Sequence, residues 1–408
     1  MLIENSINVI SAILVGAFVA RFLGPEQFGI YSVVIAINAV ALTLTKLGLD
    51  NIVARDLAHK NFSYNSIISS TIFLRIISGA FVYTTTLLIL SILNYRHLNL
   101  VAIASAPVII SFSDIVFSIY QNKLKLDTLS KLKITQIALV SIIRIIAISY
   151  EMTLMQFVWI LLLDQLILYV GYLGLLWFSR NLIGKLDFLY LKRLLRDALP
   201  LVMIAFSTTL FMRMDQFMID VLTGSKETGI YSAAIKIAEG PIFLVLIISN
   251  VMMPTFSILF KENRADFENA MKKWMKVIIR LSIGIAVLLI LCAEFVIYFL
   301  YGPEYEESII ILRYYAIVIV FLFVNNFSWI WIINHNLHIV ALFKLIIGLI
   351  INGVLNYFMI KMYGIRGAVV ATLITYVFVT LLLNFAFKRL RPLLRLVIDS
   401  GRALLSND

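Results

Sequence analysis

Twelve apolar runs, each about long enough to span a bilayer, leave this chain few folds to choose from. They cover residues 6–23, 30–49, 67–93, 98–120, 132–150 and 154–178, then 198–222, 231–260, 274–300, 309–333, 338–362 and 365–387. Membrane hydrocarbon is about 30 Å thick, and a helix crosses it with about 20 apolar residues. Within it the backbone must bond to itself, which selects helices or closed barrels. Runs of this length, joined by short gaps, predict an all-α integral membrane protein. The composition agrees: of 408 residues, 62% are hydrophobic and 14% charged, where a soluble domain has about 25% charged. Mean hydropathy is +0.98. The first run has no basic residue before it and no small-residue cleavage site after it, so it reads as a span and not as a signal peptide. The single cysteine, Cys292, lies in an apolar run and reads as packing.

A net charge of +11 would suit nucleic acid if it formed a stripe, but here it is scattered through the gaps between apolar runs. There it reports orientation. With the N-terminus inside, the cytoplasmic gaps hold Arg55, Lys60, Lys123, Lys125, Lys131 and Lys133. Arg180, Lys185, Lys192, Arg193 and Arg196 follow, then Lys261, Arg264, Lys272, Lys273 and Lys276, and a basic tail from Lys388 to Arg402. The opposite gaps hold Arg21, Arg96, Lys226, Lys361 and Arg366. The positive-inside rule then places both termini in the cytoplasm.

Between the first two spans the chain reads ARFLGPEQFGIYS, residues 20–32. Gly24 and Pro25 end a helix there, because proline lacks the amide donor and disfavours helix in the residue before it. Gly224, Gly229, Ile230, Tyr231 and Ser232 repeat Gly24, Gly29, Ile30, Tyr31 and Ser32 at a constant offset, with Ser225 in place of Pro25. Self-similarity at half the chain length predicts a duplicated bundle. The longest strongly basic gap separates the halves. The expected organisation is a six-helix bundle over 1–178, a cytoplasmic linker at 179–197, a second six-helix bundle over 198–387 and a basic tail at 388–408. The tail reads equally as an amphipathic helix on the inner leaflet or as a frayed end.

Five segments form a series: ARFLGPEQFGIYS with Lys46-Leu-Gly-Leu-Asp50 and Arg55-Asp56, Met212-Arg-Met-Asp-Gln-Phe-Met-Ile219, Tyr301-Gly-Pro-Glu-Tyr305, Asn352 to Asn356, and Tyr363-Gly-Ile-Arg-Gly-Ala-Val-Val-Ala-Thr372. In their order and spacing they resemble the Wzx-type polysaccharide flippases of the multidrug/oligosaccharidyl-lipid/polysaccharide exporter superfamily. The resemblance implies two six-helix bundles forming a V around a central cavity, related by a pseudo-twofold axis along the membrane normal. It also implies a cargo: an oligosaccharide repeat unit on undecaprenyl pyrophosphate. This would be turned from the inner to the outer leaflet of the bacterial inner membrane by alternating access, for a surface polysaccharide such as the O-antigen of lipopolysaccharide. A polymerase and a chain-length regulator of the same pathway would be partners.

Moving such a cargo means carrying a pyrophosphate across hydrocarbon, where an unpaired charge costs several kcal/mol or more. Cations inside the spans are the expected contacts, and arginine suits phosphate best. Arg213, about 13 Å from the outer end of its helix at 1.5 Å per residue, is the first candidate. Lys236 and Arg75 come next. Arg144 and Arg313 lie near enough to the outer surface to snorkel, and Lys344 lies near the inner one. Structural ion pairing is the competing reading for each; Lys236, for example, has Glu239 three residues on. Asn325 and Asn326 would wet the cavity and meet sugar hydroxyls, or merely glue helices together. Asp164, Asp114, Asp215 and Glu239 are candidates for coupling to an H⁺ or Na⁺ gradient, since a buried carboxylate takes up a proton or a cation readily. No other cofactor is implied. No Walker A pattern is present, and His59, His97, His335 and His338 sit at span ends without a cysteine partner. A multidrug or small-solute exporter of the same fold is the nearest alternative. A membrane-embedded glycan polymerase or ligase is another, but it would need a large outer loop.

Overall fold

The computed structural model describes residues 2–59, 62–123, 126–178 and 184–402, and every regular element among them is helical. Lys60, Lys125, Arg180, the start of the linker and the end of the tail lie outside the described residues. Among the described residues, ten stretches are long and apolar enough to cross a membrane. Two of them are too long for one crossing: 41 residues over Ser6–Lys46 and 49 over His338–Ala386, about 62 and 74 Å of helix. Each is broken at a glycine with positive φ. Gly24 lies in α1 (Leu2–Lys46) at φ 72°, and Gly364 in α13 (His338–Val377) at φ 60°. At the second break the chain folds back: a Cβ on Gly367 would collide with the carbonyl oxygen of Met359. Residues eight apart in an unbroken helix would be about 12 Å apart. Taking each broken stretch as two crossings gives the expected twelve.

The chain forms two compact units: one from residues up to Leu23 and Ile30–Arg213, the other from Gly24–Gly29 and the described residues from Met214 on. In unit 1, α1 is followed by α2 (Leu49–His59), a short amphipathic helix, and α3 (Tyr64–Ile92). The apolar face of α2, with Leu49, Ile52, Val53 and Leu57, packs against Ile67, Leu74, Ile115 and Tyr190. The fourth expected span is not one α-helix. Pro107 cannot donate its i→i−4 bond, and α4 (Leu98–Ser105) passes into a nine-residue 3₁₀ segment, Ala106–Asp114, before α5 (Ile115–Asn122). Helices α6 (Leu126–Ser149) and α7 (Leu154–Phe178) follow. Helix α8 (Phe188–Leu222) begins ten residues before the span expected at 198. The Asp187 carboxylate caps it, accepting from the amides of Leu189 and Tyr190 at 3.0 Å each. The described part of the linker from Phe188 is therefore helical, and its Arg193 meets Asp197 at 3.6 Å and Asp56 at 3.8 Å.

Unit 2 contains the rest of α8 and then α9 (Ser225–Glu239) and α10 (Ile242–Glu262), which split the expected span 231–260 at Gly240 and Pro241. Helix α11 (Arg264–Leu300), α12 (Glu307–Asn334) and α13 follow. A π-helical turn, Phe378–Leu382, leads into α14 (Leu383–Ala386). Helix α12 is the buried centre: Ile311, Leu312, Val318, Ile319, Phe323 and Phe327 have no exposed surface. At its end His335 stacks on Trp331, ring centroids 4.1 Å apart, beside Phe260 and Phe267. These ring contacts make this histidine a packing element, and burial lowers its pKa. The tail forms a helix, α15 (Arg391–Arg402), which contacts α11 and buries Leu393, Leu394, Leu396 and Val397.

The two copies of the glycine repeat touch inside unit 2. A Cβ on Gly29 would strike the carbonyl of Ser225, and one on Gly229 would strike the carbonyl of Pro25. The two glycines also face each other's amides, so the contact is reciprocal. Gly224, at φ 115°, repeats the positive φ of Gly24.

Candidate functional site

Each unit holds a polar cluster among its apolar helices, buried in unit 2 and half-buried in unit 1. In unit 1, Leu47 and Gly48 take φ of 51° and 60° and turn the chain from α1 into α2. Lys46 and Asp50 flank that turn. Arg75 reaches them from α3, with 1% of its surface exposed, and its Nη2 donates to Asp50 Oδ1 at 2.5 Å. Lys46 Nζ lies 2.7 Å from Asp114 Oδ2 at the end of the 3₁₀ segment. The two cations and two carboxylates come from four elements and cancel. Arg75 Nε and Nη1 are buried without an acceptor. Further along unit 1, Arg144 Nη2 donates to Asp164 Oδ2 at 2.9 Å, and the Gln136 amide donates to the other carboxylate oxygen of Asp164. Of the candidates in unit 1, Arg144 and Asp164 are thus paired with each other, whereas Arg75 pairs with Asp50 and Asp114 with Lys46.

In unit 2 the cluster centres on Asp215, which is 6% exposed. Tyr231 Oη donates to it at 2.5 Å, Asn356 Nδ2 at 2.6 Å and Thr372 Oγ1 at 2.7 Å. Asn356 Nδ2 also reaches Asn352 Oδ1 at 3.0 Å. Charge-assisted hydrogen bonds of this kind contribute about 1.5–3 kcal/mol each and offset much of the cost of burying a carboxylate. No cation of the protein bonds to Asp215 among the described residues. Asn356 Oδ1, beside the carboxylate, is a buried acceptor that receives no donor. A carboxylate held by three neutral donors, with no positive charge bonded to it and one open acceptor on Asn356, is a candidate site for a small cation.

The remaining candidates are dispersed. Lys344 is 4% exposed, and its ammonium donates to Asn384 Oδ1 at 3.0 Å and Asn325 Oδ1 at 3.4 Å. Asn326 donates to the carbonyl of Leu322 in its own helix. Arg313 lies 3.6 Å from Glu294, both well exposed. Glu239 accepts from Tyr315 Oη at 3.4 Å. Lys236 stands 6.0 Å over the Phe28 ring, which ties it to the first glycine turn. Arg213 is half-buried in α8, nine residues before its end at Leu222. Lys46, Asp50, Asn352, Asn356, Thr372 and Tyr231 complete the two clusters, although none was singled out from the sequence as a site residue. The signal was present: Asn352 and Asn356 stand one helical turn apart within an apolar run.

Twelve apolar crossings, with charged side chains set among them, define a multi-pass membrane protein. The polysaccharide biosynthesis protein family matches residues 18–310, and the chain belongs to that family. An uncharacterized membrane protein of Methanocaldococcus jannaschii is 27% identical over 92% of this chain and 93% of its own length. The fold is similar to that of solved MOP superfamily proteins, the likeness that the sequence resemblance implies. An inward-facing multidrug resistance MATE family transporter matches with a TM-score of 0.77 at 16% identity over 95% of each chain. The lipid II flippase MurJ, in an inward closed conformation, matches with 0.71 at 14% identity over all of this chain and 92% of its own. A MOP superfamily transporter of Pyrococcus furiosus, described as having a binding pocket of reverse polarity, matches with 0.62 at 15% identity over 96% of this chain and 95% of its own. The three solved structures are described as two transporters and a flippase.

Proposed function

We propose that this protein is a flippase for lipid-linked oligosaccharides, moving saccharide units on an isoprenoid pyrophosphate carrier across the cytoplasmic membrane by alternating access. The observation that carries the reading is membership of a polysaccharide biosynthesis family, over residues 18–310, by a chain with a transporter fold. A polysaccharide precursor assembled on the cytoplasmic face must cross the bilayer before it is used outside, and a transporter in such a family has that task open to it. The bias of basic residues supports cytoplasmic termini. Undecaprenyl pyrophosphate as the carrier, O-antigen as the product and a bacterial inner membrane as the site are the finer form of this reading.

Arg213 and Lys236 are the proposed phosphate contacts, Arg213 for its depth and Lys236 for its place beside the repeat turn. Asp215 is the proposed coupling site. With no cation of the protein bonded to the carboxylate among the described residues and the Asn356 acceptor open, Na⁺ is the proposed coupling ion; a proton, which would let the carboxyl donate to that same acceptor, is the competing one. A multidrug exporter would instead need acidic walls facing its cationic cargo. A strain lacking the gene tests the choice. It should accumulate lipid-linked oligosaccharide and lose surface polysaccharide, and Arg213→Ala should fail to restore export while remaining in the membrane. A deletion that leaves the polysaccharide intact and sensitises cells to cationic drugs would overturn the reading.

A further inference from the structure

Unit 1 encloses a cavity of about 300 Å³ that none of these roles uses. Three helices line it. The first half of α1 contributes Glu4, Asn8 and Ser11, spaced to share one face. Helix α6 contributes Lys133, Gln136, Ser141 and Arg144, and α7 contributes Asp164. The charges at its walls are already matched. Lys133 Nζ lies 3.2 Å from Glu4 Oε1, and Arg144 is bonded to Asp164. Burial would raise the Glu4 pKa, but the Ser130 hydroxyl, donating at 2.6 Å, and the Lys133 ammonium hold it below the usual carboxylate range. The Ser11 and Ser141 hydroxyls lie 2.8 Å apart. Arg144 Nε is buried with no acceptor.

A neutral cavity rich in donors and acceptors is a poor place for an ion. A phosphate would gain little from cations already bound to carboxylates and would be repelled by those carboxylates. A cationic drug meets the converse. A polyhydroxy compound suits both: its hydroxyls donate to carboxylate and amide oxygens and accept from amide, hydroxyl and guanidinium groups. We propose that this cavity is a saccharide subsite, holding an uncharged sugar ring of the cargo through its hydroxyls while the phosphates bind elsewhere. The volume is at the lower end of the range for small-molecule pockets, about 300–1,000 Å³, which suits a ring or two and not a long chain. The identity of the cargo rests on the function proposed above; binding of sugar by the cavity does not.

Saturation-transfer NMR on the full chain in detergent micelles tests it, with glucose, galactose, N-acetylglucosamine and inorganic pyrophosphate as probes. At least one sugar should receive saturation from the wild-type protein. Ser11→Leu/Ser141→Leu fills the cavity without touching either ion pair, and should cut that signal at least fivefold. Asn8→Ala, which only trims an exposed side chain of the wall, should lower it about two- to threefold and guards against misfolding of the double variant. Pyrophosphate should not displace the sugar. No saturation of any of the three sugars, an undiminished signal in both variants, or competition by pyrophosphate would each overturn the proposal. A protein that binds sugar in this cavity yet fails to flip lipid-linked saccharides would refute the flippase reading and leave the subsite standing.

Discussion

At the scale of single residues, the strongest claims concern Asp215 and the paired glycines. If Asp215 holds Na⁺, sodium stabilises the folded protein by mass action, about 2.7 kcal/mol at one hundred times its dissociation constant. Sodium should therefore raise the melting temperature of the wild-type protein and leave that of Asp215→Asn unmoved; equal shifts would remove Asp215 from ion binding. Gly29 and Gly229 make a different prediction. A methyl group on either meets a backbone carbonyl that cannot give way, so Gly229→Ala should cost about 1–3 kcal/mol or more, as overpacking does, and appear as an earlier unfolding midpoint. Gly174→Ala, where nothing lies within 4 Å of the added carbon, should be neutral. The repeat itself was legible as matching glycines, but their mutual contact was not, because spacing along a chain carries no information about which turns meet. Asp215 was legible as a charge in an apolar run. Its partners were not, since Asn356 and Thr372 lie 141 and 157 positions away.

At the scale of helices, apolar length predicted the crossings well, because the bilayer sets that length whatever the neighbours are. Departures fall where backbone chemistry intervenes. Pro107 loosens the fourth crossing into 3₁₀ geometry, Gly240 and Pro241 split the eighth, and the cap at Asp187 starts the seventh early. The arginine candidates Arg75, Arg144 and Arg313 met carboxylates on other elements, contacts that a single helix face does not reveal. The aromatic end of α12 supplies a pH prediction. His335 has its pKa lowered by burial, below the ordinary value of about 6.5. Between those two values the unfolded chain binds the proton that the folded chain refuses, so stability falls as pH drops below about 6.5. Thermal unfolding in detergent between pH 7.5 and 5 should show this loss, and His335→Phe should flatten it; an unchanged slope would assign the effect to other groups.

At the scale of the whole molecule, composition was the most legible feature, since membrane insertion acts on the chain before it folds; the basic gaps add an expected orientation. The orientation they imply is checked by single cysteines at the loops. Asn94→Cys should react with an impermeant thiol reagent in intact cells and Asn263→Cys only after the membrane is opened, with Cys292→Ser as background; the reverse pattern would invert the topology. The central claim concerns transport. The direct measurement is the leaflet exchange of a fluorescent isoprenoid-pyrophosphate-linked saccharide in proteoliposomes containing the purified protein, with an inward-directed or outward-directed sodium gradient. The account predicts exchange at least tenfold faster than in protein-free vesicles, dependent on the gradient and lost in Arg213→Ala and Asp215→Asn. Exchange no faster than in protein-free vesicles, alongside uptake of a cationic dye by the same proteoliposomes, would contradict it.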